Sequence, residues 1–113
     1  MVYYSPVVFV FSKTGADFFI QLKGLNAGRP LWDKIPNSCG IEINKSIMDV
    51  KFMYYTFEYL FRADRFKPFL KGSVIPYIRL PDIEFVVYHH FISTMARQEP
   101  TQIRRAAVND YAQ

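Results

Sequence analysis

The chain has 113 residues, of which 50% are hydrophobic and 18% aromatic, and its formal net charge is +4. This length suits one domain, and the apolar content excludes a disordered chain and provides for a packed core. The basic balance favours a polyanionic partner such as nucleic acid, although the same charge also serves solubility.

The N-terminal part of the sequence predicts three strands. Residues 2–13 and 16–23 are rich in β-branched and aromatic side chains, with a Thr-Gly turn signal between them, so these two strands can form a hairpin. Residues 24–38 are dense in Gly, Pro and Asn and predict a long loop, of a length that is often functional. Residues 39–44 alternate in polarity and predict the third strand.

Residues 46–64 carry the clearest helix signal. Apolar side chains recur at helical spacing, and Ser46 with Asp49 resembles a capping box in which Asp replaces the usual Glu. Three tyrosines widen the apolar face, so we expect this helix to be largely buried.

The following residues predict two short elements. A second, short helix over residues 65–72 has Gly72 as its C-terminal cap. Residues 73–80 predict a short strand, which Pro76 restricts to an edge or a bulge.

Residues 82–113 predict a C-terminal helical segment. Asp82 can cap a helix over residues 82–98, Pro100 interrupts it, and a final helix can follow. The expected fold is therefore α+β over residues 1–113, with a small antiparallel or mixed sheet packed against an aromatic-rich helix.

Cysteine usage and hydropathy indicate a compartment. The single cysteine, Cys39, has no partner for an internal disulfide, which fits a reducing cytoplasm. The sequence contains no signal-peptide pattern, and no apolar run approaches the roughly 20 residues of a membrane helix. We therefore expect a cytoplasmic protein with no membrane partner.

The stretch KPFLKGSVIPYIRLPDIE, residues 67–84, resembles a signature near the end of target recognition domains in type I restriction-modification specificity subunits. In that family a helix precedes a Lys/Ala-Gly-Ser turn, a short strand with a Pro follows, and an Asp opens the next helix. The matching positions are Lys71, Gly72, Ser73, Pro76, Ile78, Asp82 and Ile83.

The upstream segment FFIQLKGLNAGRPL resembles more loosely the strand, Gly-x-x-Gly-like loop and strand of the same family, through Gly24, Gly28 and Arg29. The resemblance covers about residues 18–83 and extends to small bacterial proteins of unknown role that share KGLNxGxPL and GSVIPxI.

Specificity subunits carry two recognition domains joined by long helices, whereas this chain has room for one in shortened form. After Asp82, EFVVYHHFISTM replaces the family's IPLPP…EQ segment, so the resemblance does not extend to the parts that dock a methyltransferase subunit.

Two basic segments supply the candidate DNA-binding residues. In residues 62–79 five cations stand against one acid, and the Gly-Ser turn offers backbone N–H groups and a hydroxyl to a phosphate. The loop after residue 22 adds further cations, together with an Asn and an Arg that can read base edges. The candidates are Lys23, Asn26, Arg29, Lys34, Arg62, Arg65, Lys71, Gly72, Ser73 and Arg79.

Each of these features also has a purely structural interpretation. Gly72 can be only a helix cap, and the cations can form a solvated face. Trp32 can stack on an exposed base or anchor its loop to the core.

The titratable residues match no catalytic or metal-binding motif. His89 and His90 are adjacent and lack the i, i+4 spacing of a zinc helix. Ser73 lacks a nucleophile elbow, and the GLNAG loop lacks the ending of a P-loop. We therefore expect no enzymatic activity, no metal and no cofactor.

The sequence thus favours a non-catalytic domain that binds double-stranded DNA, like a solitary target recognition domain. The main alternative is a protein-interaction module that modulates a restriction-modification or other defence complex. The helix after Asp82 is apolar on several faces, which predicts a homodimer through residues 82–113. The competing expectation is that residues 101–113 fold back and cover that helix within one chain.

Overall fold

The computed structural model describes residues 7–98, with side chains up to residue 93, so the helix predicted after Pro100 lies outside the described residues. Four antiparallel strands form one sheet in the order β1-β4-β2-β3. The predicted α+β class is confirmed, and the sheet is antiparallel rather than mixed. The strands are β1 (Phe9–Ser12), β2 (Phe18–Gln21), β3 (Pro30–Leu31) and β4 (Ser38–Ile43).

The predicted hairpin between the first two strands is wrong, because β4 lies between them. Ile41 of β4 pairs with Phe11 on one side and with Phe18 on the other. Asp17 fixes this arrangement: its N–H donates to the Ile41 carbonyl at 2.8 Å, and its carboxylate accepts from the Ile43 N–H at 2.8 Å. The predicted loop over residues 24–38 also contains the short strand β3.

Helix α1 (Val50–Arg62) supplies the other layer of the core. Its buried side chains include Met53, Phe57 and Leu60, and buried residues alternate with half-buried ones along β2, as a strand with one core face requires. The outer face of α1 carries Phe52, Tyr55 and Tyr59, each about half exposed. The expectation of a largely buried helix was therefore wrong, since these aromatic residues lie on the solvent side.

The N-terminus of α1 differs from the predicted capping box. The N-cap is Asp49, whose carboxylate accepts a hydrogen bond from the Phe52 N–H at 2.9 Å. Ser46 lies in a preceding turn, where its own N–H donates to the Asn44 side chain at 3.2 Å. The helix therefore begins three residues later than a Ser46 cap would place it.

The predicted second helix is a single 3-10 turn, Lys67–Phe69, that ends before Gly72. The strand predicted over residues 73–80 is reduced to isolated bridges at Tyr77. The second long helix, α2 (Leu80–Gln98), begins before Asp82, because Pro81 fits the first turn of a helix. Asp82 is therefore a first-turn residue and not the cap.

The chain forms two compact units, Met1–Ile83 and Glu84–Gln113, and the sheet and α1 belong to the first. Over the described range, neither helix has both the length and the apolar character needed to cross a membrane.

Candidate nucleic-acid interface

Two of the predicted cations, Lys23 and Lys71, pair with the same residue, Tyr77, from opposite sides. Lys71 and Tyr77 exchange two backbone hydrogen bonds, of 2.8 and 2.9 Å. Beside Lys23, the Gly24 N–H donates to the Pro76 carbonyl at 2.8 Å, and the Ile78 N–H donates to the Leu22 carbonyl at 2.9 Å. The backbone thus joins the two basic segments that the sequence indicated as candidates.

These pairings place three side chains in one row. Directly opposed residues of antiparallel segments project to the same face, so Lys23, Tyr77 and Lys71 form what we call the Lys-Tyr-Lys row. In antiparallel pairing, the Cα atoms of a doubly hydrogen-bonded pair, here Lys71 and Tyr77, lie about 5.5 Å apart, and those of a non-hydrogen-bonded pair, here Lys23 and Tyr77, lie about 4.5 Å apart. The Cα atoms of the two lysines therefore lie about 10 Å apart. Since Ile78 is buried and Tyr77 is 39% exposed, the row lies on the solvent face.

The row depends on glycines that follow each lysine. Gly72 has a φ of +89°, and a Cβ there would lie 2.6 Å from the Ile75 carbonyl oxygen, so no larger residue fits this turn. Gly24 has a φ of +99°. The same Lys-Gly dipeptide therefore turns the chain on both sides of Tyr77.

Gln21 connects Arg29 to the row. Its side-chain amide donates to the Lys23 carbonyl at 2.7 Å, and its side-chain oxygen accepts from the Arg29 guanidinium at 3.3 Å. Arg29 has no carboxylate within 4 Å among residues 7–98, so most of its donors are free for a ligand.

Arg29 also lines a groove with two other predicted residues, Asn26 and Arg62. The groove has a volume of about 510 Å³ and runs between the Asn26 loop, β3 and α1. Arg62 is already paired with Glu58 at 2.8 Å, which neutralises part of its charge. Asn26 and Arg29 therefore provide the polar groups of this groove that can still bind a ligand.

The other predicted residues are not brought to the row by any contact in the described part of the chain. Arg65 lies over the Tyr59 ring at 5.7 Å, and Arg79 pairs with Asp82 at 3.2 Å. Lys34 is exposed between β3 and β4, and Ser73 is exposed beside Gly72. Arg65 and Arg79 are therefore held by local contacts outside the row.

Trp32 anchors its loop, which is one of the two interpretations that the sequence left open. Its ring stacks on Tyr54 of α1 at 3.8 Å and meets the edge of Phe18 at 6.2 Å. Burial raises the pKa of Tyr54, with a further rise from Glu58, so its hydroxyl stays protonated and donates to the Pro30 carbonyl. Trp32 thus stabilises the groove wall.

Cys39 carries a half-buried free thiol. Burial raises the pKa of the Cys39 thiol, which keeps it protonated and poorly nucleophilic. Throughout the stretch that the structure describes, His, Cys, Asp and Glu side chains do not gather in groups of three that could hold a metal ion.

The fold and the row define a small α+β domain with a basic and aromatic surface at the end of its sheet. The chain belongs to a family of unknown function, DUF6943, whose model matches residues 11–113. Searches of curated proteins and of solved structures found no match to the chain.

Proposed function

We propose that this protein is a non-catalytic domain that binds double-stranded DNA, similar to a solitary, reduced target recognition domain. The observation that carries the proposal is the Lys-Tyr-Lys row. Neither lysine has a carboxylate within 4 Å in the described part of the chain, and both flank an exposed aromatic ring. The single cysteine supports a reducing cytoplasm as the compartment of this protein.

The row has the chemistry that a nucleic-acid backbone requires. Lysine ammonium groups bind phosphates and release the counterions condensed on DNA, which makes binding strongly dependent on salt. A tyrosine between them can pack on a sugar or a base. Arg29, which Gln21 holds beside the row, adds a planar guanidinium that suits phosphates and guanine edges.

The double substitution Lys23→Ala/Lys71→Ala tests the row. We expect it to weaken binding to a 20-bp duplex on the order of 10-fold and to reduce the salt slope of log K by about 1.8, since two phosphate contacts are lost. Fluorescence anisotropy across a salt series measures both quantities.

The matched control is Lys13→Ala/Lys51→Ala, which removes the same charge from exposed positions outside the row. It should leave the salt slope close to that of the wild type. Equal losses in both variants would mean that net charge, and not the row, determines binding.

A second candidate function, a protein-interaction module, is favoured by the outer face of α1. Phe52, Tyr55 and Tyr59 follow one another at i, i+3 and i+7 and form a half-exposed aromatic stripe. Aromatic residues are enriched at protein interfaces, and such contacts depend little on salt. If the wild type binds no DNA at low salt, protein interaction is the better explanation. The partner would then be a restriction-modification or other defence complex.

We also propose a homodimer through residues 82–113. On α2, Phe85 and Ile92 are exposed at i and i+7, and His89 stacks on Phe85 at 5.6 Å. Replacing Phe85 and Ile92 by Ser should convert a species of twice the 13.3 kDa chain mass into a monomer during sedimentation at micromolar concentration. Phe52→Ser/Tyr55→Ser is the control and should remain dimeric, whereas a monomeric wild type would contradict the proposal.

A further inference from the structure

The loops that frame the Lys-Tyr-Lys row also carry three aliphatic side chains into solvent. Leu25 is 89% exposed, Val74 is 88% exposed and Ile75 is 62% exposed. Leu25 and Ile75 each lie one residue from the hydrogen bond between the Gly24 N–H and the Pro76 carbonyl. We call these three residues the apolar tip.

The apolar tip is held by a defined backbone. The Lys71–Tyr77 pair closes the turn that contains Val74 and Ile75, and the positive φ of Gly72 fixes its start. On the other loop, the Ala27 N–H donates to the Gly24 carbonyl at 3.1 Å, and the Ala27 side chain is buried. The aliphatic side chains are therefore presented to solvent by turns that are bonded to each other.

The charges beside the tip indicate its partner. Lys23 and Lys71 lie at the base of the two loops, and lysine is depleted in protein–protein interfaces. Recognition of anionic lipids commonly uses a cluster of 4–8 cations, more than the row provides. DNA fits both features, because proteins that kink DNA insert Leu, Ile or similar side chains between base pairs while cations hold the phosphates.

We propose that the apolar tip acts as a wedge that enters a weakly stacked base step, so that the preferred ligand is duplex DNA with a mismatch or another easily opened step. This inference rests on the proposed DNA-binding function. The lysines of the row hold the flanking phosphates, and Val74 and Ile75 replace part of the base stacking. Flexible steps require less deformation energy, which gives a preference without hydrogen bonds to base edges.

The experiment compares two 20-bp duplexes that differ only in a central mismatch, with 2-aminopurine beside that position. The wild type should bind the mismatched duplex about 10-fold more tightly and should raise the 2-aminopurine fluorescence as the base unstacks. Val74→Ser/Ile75→Ser should lose this preference and the fluorescence rise while keeping the wild-type salt slope. The control Val10→Ser/Ile47→Ser removes two exposed aliphatic side chains elsewhere and should behave as the wild type.

The outcomes separate the wedge from DNA binding itself. Salt-dependent binding with equal affinity for both duplexes, or a tip variant that keeps the preference, would overturn the wedge and leave the proposed function intact. Absence of binding to either duplex at low salt would overturn both. Tip-dependent binding to phosphatidylserine vesicles without a mismatch preference would overturn the wedge in favour of a lipid surface.

Discussion

Replacing Phe57 by Ala is expected to lower the free energy of unfolding by about 3–5 kcal/mol. Phe57 is fully buried, and its ring meets the edges of Phe9 at 5.6 Å and of Phe18 at 5.4 Å. The ring centroids of Phe57 and Phe66 lie 6.5 Å apart, so the Phe57 side chain of α1 contacts β1, β2 and the segment after α1. Small domains have only about 5–15 kcal/mol of stability, so this change removes a large part of it.

Urea denaturation followed by circular dichroism measures this loss, and Phe52→Ala is the matched control. Phe52 lies on the same helix with about half of its side chain in solvent. Removing its ring should cost roughly 0.5 kcal/mol or less, as is usual for surface positions. Similar losses for the two variants would contradict the assigned core.

Gly40→Ala is expected to lower the free energy of unfolding by about 1–3 kcal/mol, the usual range for overpacking a core. Gly40 lies in β4, opposite Ser12 of β1 and Phe19 of β2. A Cβ at this position would collide with the Ser12 backbone carbonyl and would lie 2.6 Å from the Ala16 Cβ. Neither atom belongs to a flexible side chain, so the strands themselves must move apart.

Gly15→Ala is the control for this change. The atoms nearest to a Cβ on Gly15 would belong to the Glu42 carboxylate, at 3.0 Å, and that flexible group can move away. The same urea titration should therefore show a much smaller loss for Gly15→Ala. An equal loss would mean that β4 does not lie between β1 and β2.

The sequence was sufficient to predict elements whose signals are local. The apolar spacing of α1, the β-branched and aromatic residues of β2 and the alternation of β4 are set by neighbouring residues, and each element lies within about four residues of its predicted bounds. The position of β4 was not predictable in this way. It depends on Asp17 binding the Ile41 and Ile43 backbone, a contact between residues far apart in sequence.

In the candidate site, too, local features were predictable and contacts between distant residues were not. The sequence indicated the loop after Lys23 and the Gly-Ser turn as two basic segments, and the bridges at Tyr77 join them. Tyr77 and Gln21 carried no signal of their own in the sequence, because their roles follow from pairing between residues that are separated in the chain. The repeated Lys-Gly dipeptide at Lys23 and Lys71 was the available signal for the shared geometry.

The central claim is that the Lys-Tyr-Lys row and Arg29 bind the DNA backbone, and the salt dependence of wild-type binding tests it most directly. Three phosphate contacts predict a slope of log K against log[salt] near about −2.7, or roughly a 40-fold loss of affinity between about 50 and 200 mM salt. Fluorescence anisotropy with a labelled 20-bp duplex measures it. A slope near that value supports the claim, whereas no binding at about 50 mM salt, or a slope near zero, would contradict it.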